Sequence, residues 1–334
     1  MSHRAFVVFS VLLSFSYVFP AAPASGRDIF VSNTSGDDQF NGLGLQSAPD
    51  GSGPVRTLAR ALRLAGPGDR IVLTKTDRPY RESISLVGTR HSGYPDRPLT
   101  IVGNGATLDG SEPVPPEAWE HDEGAVFRFS PPRKGQAQLF LDGRPAPRVV
   151  PAIEADRPPQ LNPTQWCFLD GAIYFCVDQD KIPADYALTY ARLPVGITLY
   201  HVERVAILDL TVQGFQLDGI SAHNSARDVF LAALTCRGNA RAGISVGGAS
   251  EVTIEGCLVG NNGEAQVLTL PYSLTRIRNC DLLGNTAAAW VDRGGEVWVD
   301  GKEVHGGADE IAPPGAAPEK PSGGMPENTT DSKP

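Results

Sequence analysis

The amino-acid sequence predicts an all-β solenoid of short parallel strands, started by a capping helix and interrupted by a hairpin-rich segment. Three observations predict it. First, Gly196-Ile197-Thr198, Gly219-Ile220-Ser221, Gly243-Ile244-Ser245, Gln266-Val267-Leu268 and Ala289-Trp290-Val291 recur every 23 or 24 residues. Second, the residues between them fall into apolar columns. Val205, Val229, Val252 and Thr275 form one, and Ile207, Leu231, Ile254 and Ile277 the next. Leu210, Leu234, Cys257 and Cys280 follow, then Val212, Cys236, Val259 and Leu282. Third, Asn239, Asn262 and Asn285 form a polar column just before each return of the repeat. Units this short cannot bury their inward side chains alone; stacked coils bury them as ladders, and parallel pairing satisfies the backbone. An Asn at a sharp turn bonds its own backbone, tolerates a left-handed conformation and bonds the Asn of the next coil. The three asparagines are therefore expected to form a ladder. The Leu-x-x-Leu-x-Leu frame of a leucine-rich repeat is absent.

The elements follow in chain order. His3 and Arg4 precede an apolar run from Ala5 to Phe19, and Ala22-Pro23-Ala24 supplies small residues at A-x-A spacing. Residues 1–24 thus read as a secretory signal peptide, which places the mature protein outside the cytoplasm: secreted, periplasmic or at the cell surface. Residues 27–111 read as an amino-terminal cap and the first coils. Ile29-Phe30-Val31 is a short strand, and "RTLARALRLAG" sets Leu58, Ala61, Leu62 and Ala65 at helical spacing with Gly66 to end the helix. Ile71-Val72-Leu73, "SISLVG" and "PLTIVGNGATLDG" are further strands, each punctuated by Gly or Pro. Residues 112–193 lose the repeat and carry hairpin signals, so they read as a β-rich insertion. Residues 194–304 hold the repeats. Residues 305–334 are Pro, Gly and charge with little to bury, a disordered tail by composition.

The chain has 334 residues, of which 41% are hydrophobic and 20% charged, enough for a sizeable core. Its formal charge of −9 disfavours nucleic acid, which is held by clustered Lys and Arg. No membrane span follows the leader. Five cysteines do not define a disulfide scaffold. In "QWCFLDGAIYFCVD", a Gly171-Ala172 hairpin loop would bring Cys167 opposite Cys176 and allow a disulfide, whereas an Asp170-Gly171 loop would shift the register and separate them. Cys236, Cys257 and Cys280 fall on inward positions without any partnering His, so they read as packing residues and no metal site is assigned.

Two regions resemble the pectate-lyase-like superfamily of right-handed parallel β-helices. One is "DIFVSNTSGDDQFNG" through "GPVRTLARALRLAGPGDRIVL" to "RPLTIVGNGATLDGS"; the other is the series of Gly-Ile coils from Gly196 to about Val304, with "LFLDGRPAPR" between them. The resemblance implies a right-handed parallel β-helix capped by a helix. It also implies a carbohydrate partner, because the superfamily includes pectate, alginate and chondroitin lyases, galacturonidases and members without catalysis. The chain lacks the dense Asp cluster of calcium-dependent pectate lyases. It also lacks the Asn-Thr-Asp, Asp-Asp and Gly-His-Gly set of polygalacturonases.

Strand periodicity then selects the outward residues. Tyr200, His223, Gly247, Leu270 and Arg293 stack in one outward column. Glu255 and, one coil on, Arg276 and Arg278 point outward from a second run. Arg241 and Glu264 align at a turn edge, beside Asp218. A polysaccharide lyase acting by β-elimination needs a cation (Arg, Lys or Ca²⁺) on the uronate carboxylate and a base for the C5 proton. His223, Arg276 and Arg278 are the catalytic candidates. Tyr200, Asp218, Arg241, Glu255 and Arg293 are the substrate-binding candidates, and Ca²⁺ is the one cofactor this chemistry admits. A glycosidase would instead need two carboxylates, for which Asp218 and Glu264 are the candidates. The competing reading is a non-catalytic glycan-binding or cell-envelope β-helix, with Glu255 and Arg278 a solvated ion pair.

Overall fold

The computed structural model describes residues 26–308 except Lys134, so the expected signal peptide and the tail from residue 309 onward lie outside the described residues. Two long sheets wind into one solenoid. The six-stranded sheet runs Ile84–Val87, Ile197–Tyr200, Ile220–His223, Ala242–Val246, Ala265–Thr269, Ala288–Asp292, all parallel. The twelve-stranded sheet begins with Asp28–Val31 and Arg70–Leu73, continues through Leu99–Asp109 and Glu203–Gln213, and then follows the repeats. The columns read from sequence coincide with the pairing register. Val205 lies beside Val229, Val229 beside Val252, and Val252 beside Thr275. Val212, Cys236, Val259 and Leu282 likewise stand in line.

One residue per coil bends the chain within the twelve-stranded sheet. Asp209, Ala233, Gly256 and Asn279 all have φ between 48° and 59°. A single left-handed residue turns the strand direction without breaking the pairing on either side. It separates, for example, Arg227–Ala232 from Thr235–Arg237. Inward side chains from every coil then meet in one core that extends from Ile29 to Val297. The amino-terminal coils belong to the same solenoid, because Leu99–Asp109 pairs directly with Glu203–Gln213. The helix Leu58–Leu64 covers the open end, burying Leu58, Ala61 and Leu62. Thr57 caps its first turn, and the Glu82 carboxylate accepts from the Leu58 and Ala59 amides. At the other end, Glu296–Val299 and Lys302–Val304 fold into an antiparallel hairpin, and Ala308 bridges Trp290.

The chain leaves the solenoid after Asp109 and returns at Ile197. The intervening segment forms two four-stranded antiparallel sheets around a separate core of Trp166, Ile173, Phe175 and Leu139. Its cysteine hairpin adopts the Asp170-Gly171 loop, with φ of 49° and 79° at the two residues. That is the type I′ geometry which Asp-Gly favours. Cys167 therefore lies opposite Tyr174 and Cys176 opposite Val126, and both thiols are free. The facing pair that a Gly171-Ala172 loop would give does not form.

The asparagine ladder has two rungs of the expected three. Asn262 Oδ1 accepts from the Asn239 amide at 2.9 Å and from Asn239 Nδ2 at 3.0 Å. The third place is taken by Gln266, whose Oε1 accepts from Asn262 Nδ2 at 2.8 Å. Asn285 lies further out and pairs with Asn261 instead. The reason is steric. At Gly219 and Gly243 an added Cβ would sit 2.7 and 2.8 Å from the ladder amide of the following coil. Glycine leaves that space to the incoming Asn; Gln266 fills it with its own amide and displaces Asn285.

Asn262 Nδ2 also donates to the Cys236 and Gly260 carbonyls, so its loss leaves several buried polar groups without partners. Asn262→Ala is expected to lower unfolding free energy by about 3 kcal/mol. Asn285→Ala, at a solvent-facing turn, should change it by less than about 1 kcal/mol. Equilibrium denaturant unfolding of the two variants checks the difference.

Candidate functional site

The six-stranded sheet carries the outward column as expected. Tyr200 pairs with His223, and the register places Gly247, Leu270 and Arg293 above them in turn. At roughly 4.8 Å per coil this column covers about 19 Å from Tyr200 to Arg293. Next to it, Ser221, Ser245 and Leu268 also point away from the solenoid interior, yet they are buried. The middle of the sheet is therefore closed beside the His223 column, while Thr198 and Val291 at its two ends stay partly exposed.

Three charged residues lie on the turns that lead into these strands, at the end opposite His223. Asp218, the residue before the Gly219-Ile220 strand, is fully buried. Both its oxygens are held by Arg241 from the next coil, Nε to Oδ1 at 2.8 Å and Nη2 to Oδ2 at 2.5 Å. A fork-to-fork pair of this kind fixes the guanidinium plane as well as its charge. Arg241 keeps about a quarter of its side chain in solvent, and its Nη1 edge is not used by Asp218. Glu264, one coil further, accepts from Gln136 of the insertion and lies 3.6 Å from Arg293. His223 is half-buried. Burial pulls its pKa below the ordinary value; Asp218 opposes that shift and Arg241 adds to it. The imidazole is thus neutral at pH 7. Gly247 leaves its ring room, since a Cβ there would approach His223 Nδ1 to 3.3 Å and Leu270 Cβ to 2.8 Å.

Not all of the residues picked from sequence meet here. Arg276 and Arg278 belong to Leu274–Arg278 of the twelve-stranded sheet, a different wall of the solenoid from His223. Arg276 pairs with Glu251 at 2.5 Å, and Arg278 lies 3.9 Å from Glu255, half-exposed on both sides. The catalytic trio of His223, Arg276 and Arg278 is therefore split, because coils alternate between walls facing different directions. The carboxylate pair fares no better: Asp218 is sealed beneath Arg241 and cannot reach a sugar. The face also does not suit Ca²⁺. That ion takes six or more oxygen ligands, whereas here Asp218 and Glu264 are already engaged by arginines, and no cluster of three or more His, Cys, Asp or Glu groups is present among the described residues. Cys257 and Cys280 stack in one column and Cys236 stands in another, all three buried in the core. Two residues of the insertion escaped the sequence reading, Gln136 and Arg148. Repeat spacing gives no signal for them, because they lie outside the repeats and reach the coils only through tertiary packing.

Residues 195–308 match the family model described as right handed beta helix region. No curated protein matches the chain. Among solved structures, one described as a glycoside hydrolase is similar with a TM-score of 0.54 at 13% identity, over 76% of this chain and 73% of that one. A complex of XylC with xylose has a TM-score of 0.42 at 13% identity, over 81% and 69% of the two chains. Pectate lyase Pel9A has 0.33 at 11%, over 77% and 63%. At these identities the likeness is one of fold.

The buried pair gives the site its stability signature. Arg241→Met leaves a sealed carboxylate without its partner and should cost about 3 kcal/mol at neutral pH. Asp218→Asn should cost less. Equilibrium unfolding of both variants at neutral pH checks the difference. The stacked register, the ladder of buried amides and the family match agree: this chain is a right-handed parallel β-helix protein, with residues 195–308 as its right-handed β-helix region.

Proposed function

We propose that the protein is an exported carbohydrate-active β-helix that binds an acidic polysaccharide along the Tyr200–Arg293 column and cleaves it by β-elimination. The observation that carries this reading is a half-buried His223 in an outward column of the same sheet whose strand starts hold a guanidinium fixed by Asp218. The free edge of Arg241 receives the uronate carboxylate and lowers the energy of the carbanion that forms when C5 loses its proton. His223 takes that proton. The electron pair closes the C4–C5 double bond, the C4–O bond breaks, and the departing oxygen is protonated by solvent. Tyr200, resting edge-on against His201 at 4.4 Å between ring centres, offers an aromatic face to a neighbouring sugar. Arg293 supplies a second cation at the far end. The leader of residues 1–24 supports export to where such polymers occur.

One observation favours the second reading, a glycan-binding module without turnover: Arg276 and Arg278 are on another wall, so Arg241 is the sole guanidinium acting on the His223 ring among the described residues. Ultraviolet absorbance of the unsaturated product, followed with alginate, pectate and glycosaminoglycans, separates the two. The lyase reading expects product that His223→Ala abolishes and Arg276→Ala leaves. It also expects kcat/KM to rise through a His223 pKa below about 6.5 and stay level above it, because the neutral imidazole is the active form. Saturable glycan binding with no unsaturated product would establish the module instead.

A further inference from the structure

A cavity of about 360 Å³ lies between the insertion and the turns of the coils. One wall is Pro145, Pro147 and Val150; the other is Asn261, Asn285 and Thr286; Arg148 enters between them. The backbone of Arg148 is fixed by a bridge to Trp166, and its guanidinium lies 5.2 Å from the Trp166 ring centre. The charge itself is poorly satisfied. Its Nε–H is buried with no acceptor, and among the described residues no carboxylate stands in ion-pair contact with it. Glu264 is near enough to be felt, but it is engaged by Gln136 and Arg293. Burial of a guanidinium without a partner is costly, and burial does lower the Arg148 pKa.

We infer that this cavity is a binding site for a sugar acid of about monosaccharide size, its carboxylate held by the Arg148 guanidinium. A carboxylate matches the terminal Nη edge of the planar fork and answers a charge that no carboxylate of the described residues pairs. Asn261 and Asn285 pair with each other and keep spare Nδ2–H donors for sugar hydroxyls, while the prolines and Val150 meet the C–H face. A single cation with Glu264 nearby suits one negative charge better than two, which selects a carboxylate over a phosphate. The cavity lining includes neither His223 nor Arg241, so the site stands whether or not that edge catalyses.

Isothermal titration calorimetry of the full chain tests it, with galacturonate, galactose as the neutral analogue and sodium sulfate as an inorganic oxyanion. Saturable binding of galacturonate, with galactose and sulfate much weaker, is the expected result. Arg148→Met should weaken galacturonate by about tenfold or more, and Arg148→Lys should recover only part of that. Val150→Trp, which fills the cavity mouth without touching the charge, should also abolish binding and serves if Arg148→Met does not fold. Arg278→Ala, on another wall of the solenoid, should bind as the parent does. Equal affinity for galactose or sulfate, full affinity in a folded Arg148→Met or in Val150→Trp, loss in Arg278→Ala, or no saturable heat would each overturn the assignment. Absence of unsaturated product with Arg148-dependent binding intact bears on the proposed function alone.

Discussion

The structure depends on parallel register between successive coils. Each backbone amide of a strand is paired with the coil beside it, so a residue and its equivalent one turn later stand one strand spacing apart. A side chain is therefore judged by the column it joins. Ile207, Leu231, Ile254 and Ile277 bury one another because the register holds them in line. A polar residue at an inward turn survives only if the column satisfies it, as Asn239, Asn262 and Gln266 do for one another. Glycine at positions 219 and 243 is part of the same arrangement, since it yields the space that the next coil's amide occupies.

The same stacking creates the candidate site. Asp218 and Arg241 are 23 residues apart in sequence yet bonded across adjacent coils. Burial of the carboxylate is tolerated because the guanidinium answers both oxygens. The pair then fixes a cation at the start of the strands that end in the His223 column, close enough to oppose a positive charge on that ring. Fold neighbours of this type do not by themselves specify a reaction.

The insertion has a different role. It builds its own core around Trp166 and Phe175 and leans on the coil turns through contacts such as Gln136 to Glu264. Where two separately packed units meet, polar groups from each are left facing a gap that neither fills. Arg148 is the clearest case, a guanidinium carried to the coils by a segment that has no part in their repeat.

The sequence by itself determined the solenoid, its columns and the outward residues, because the period of the repeat and the alternation of a strand are local properties of the chain. It also determined that Tyr200, His223 and Arg293 share a column, which follows from counting. Tertiary structure decided which candidates meet. Arg276 and Arg278 read as partners of His223 only until the turn at Tyr272, between Ala265–Thr269 and Leu274–Arg278, sends successive runs to different walls. It decided that Asp218 is sealed and that Cys167 and Cys176 stay apart, the latter because Asp170-Gly171 takes the tighter turn. It decided as well that Gln266 ends the amide ladder. These outcomes turn on steric room and on contacts between segments far apart in sequence, which a linear pattern does not encode.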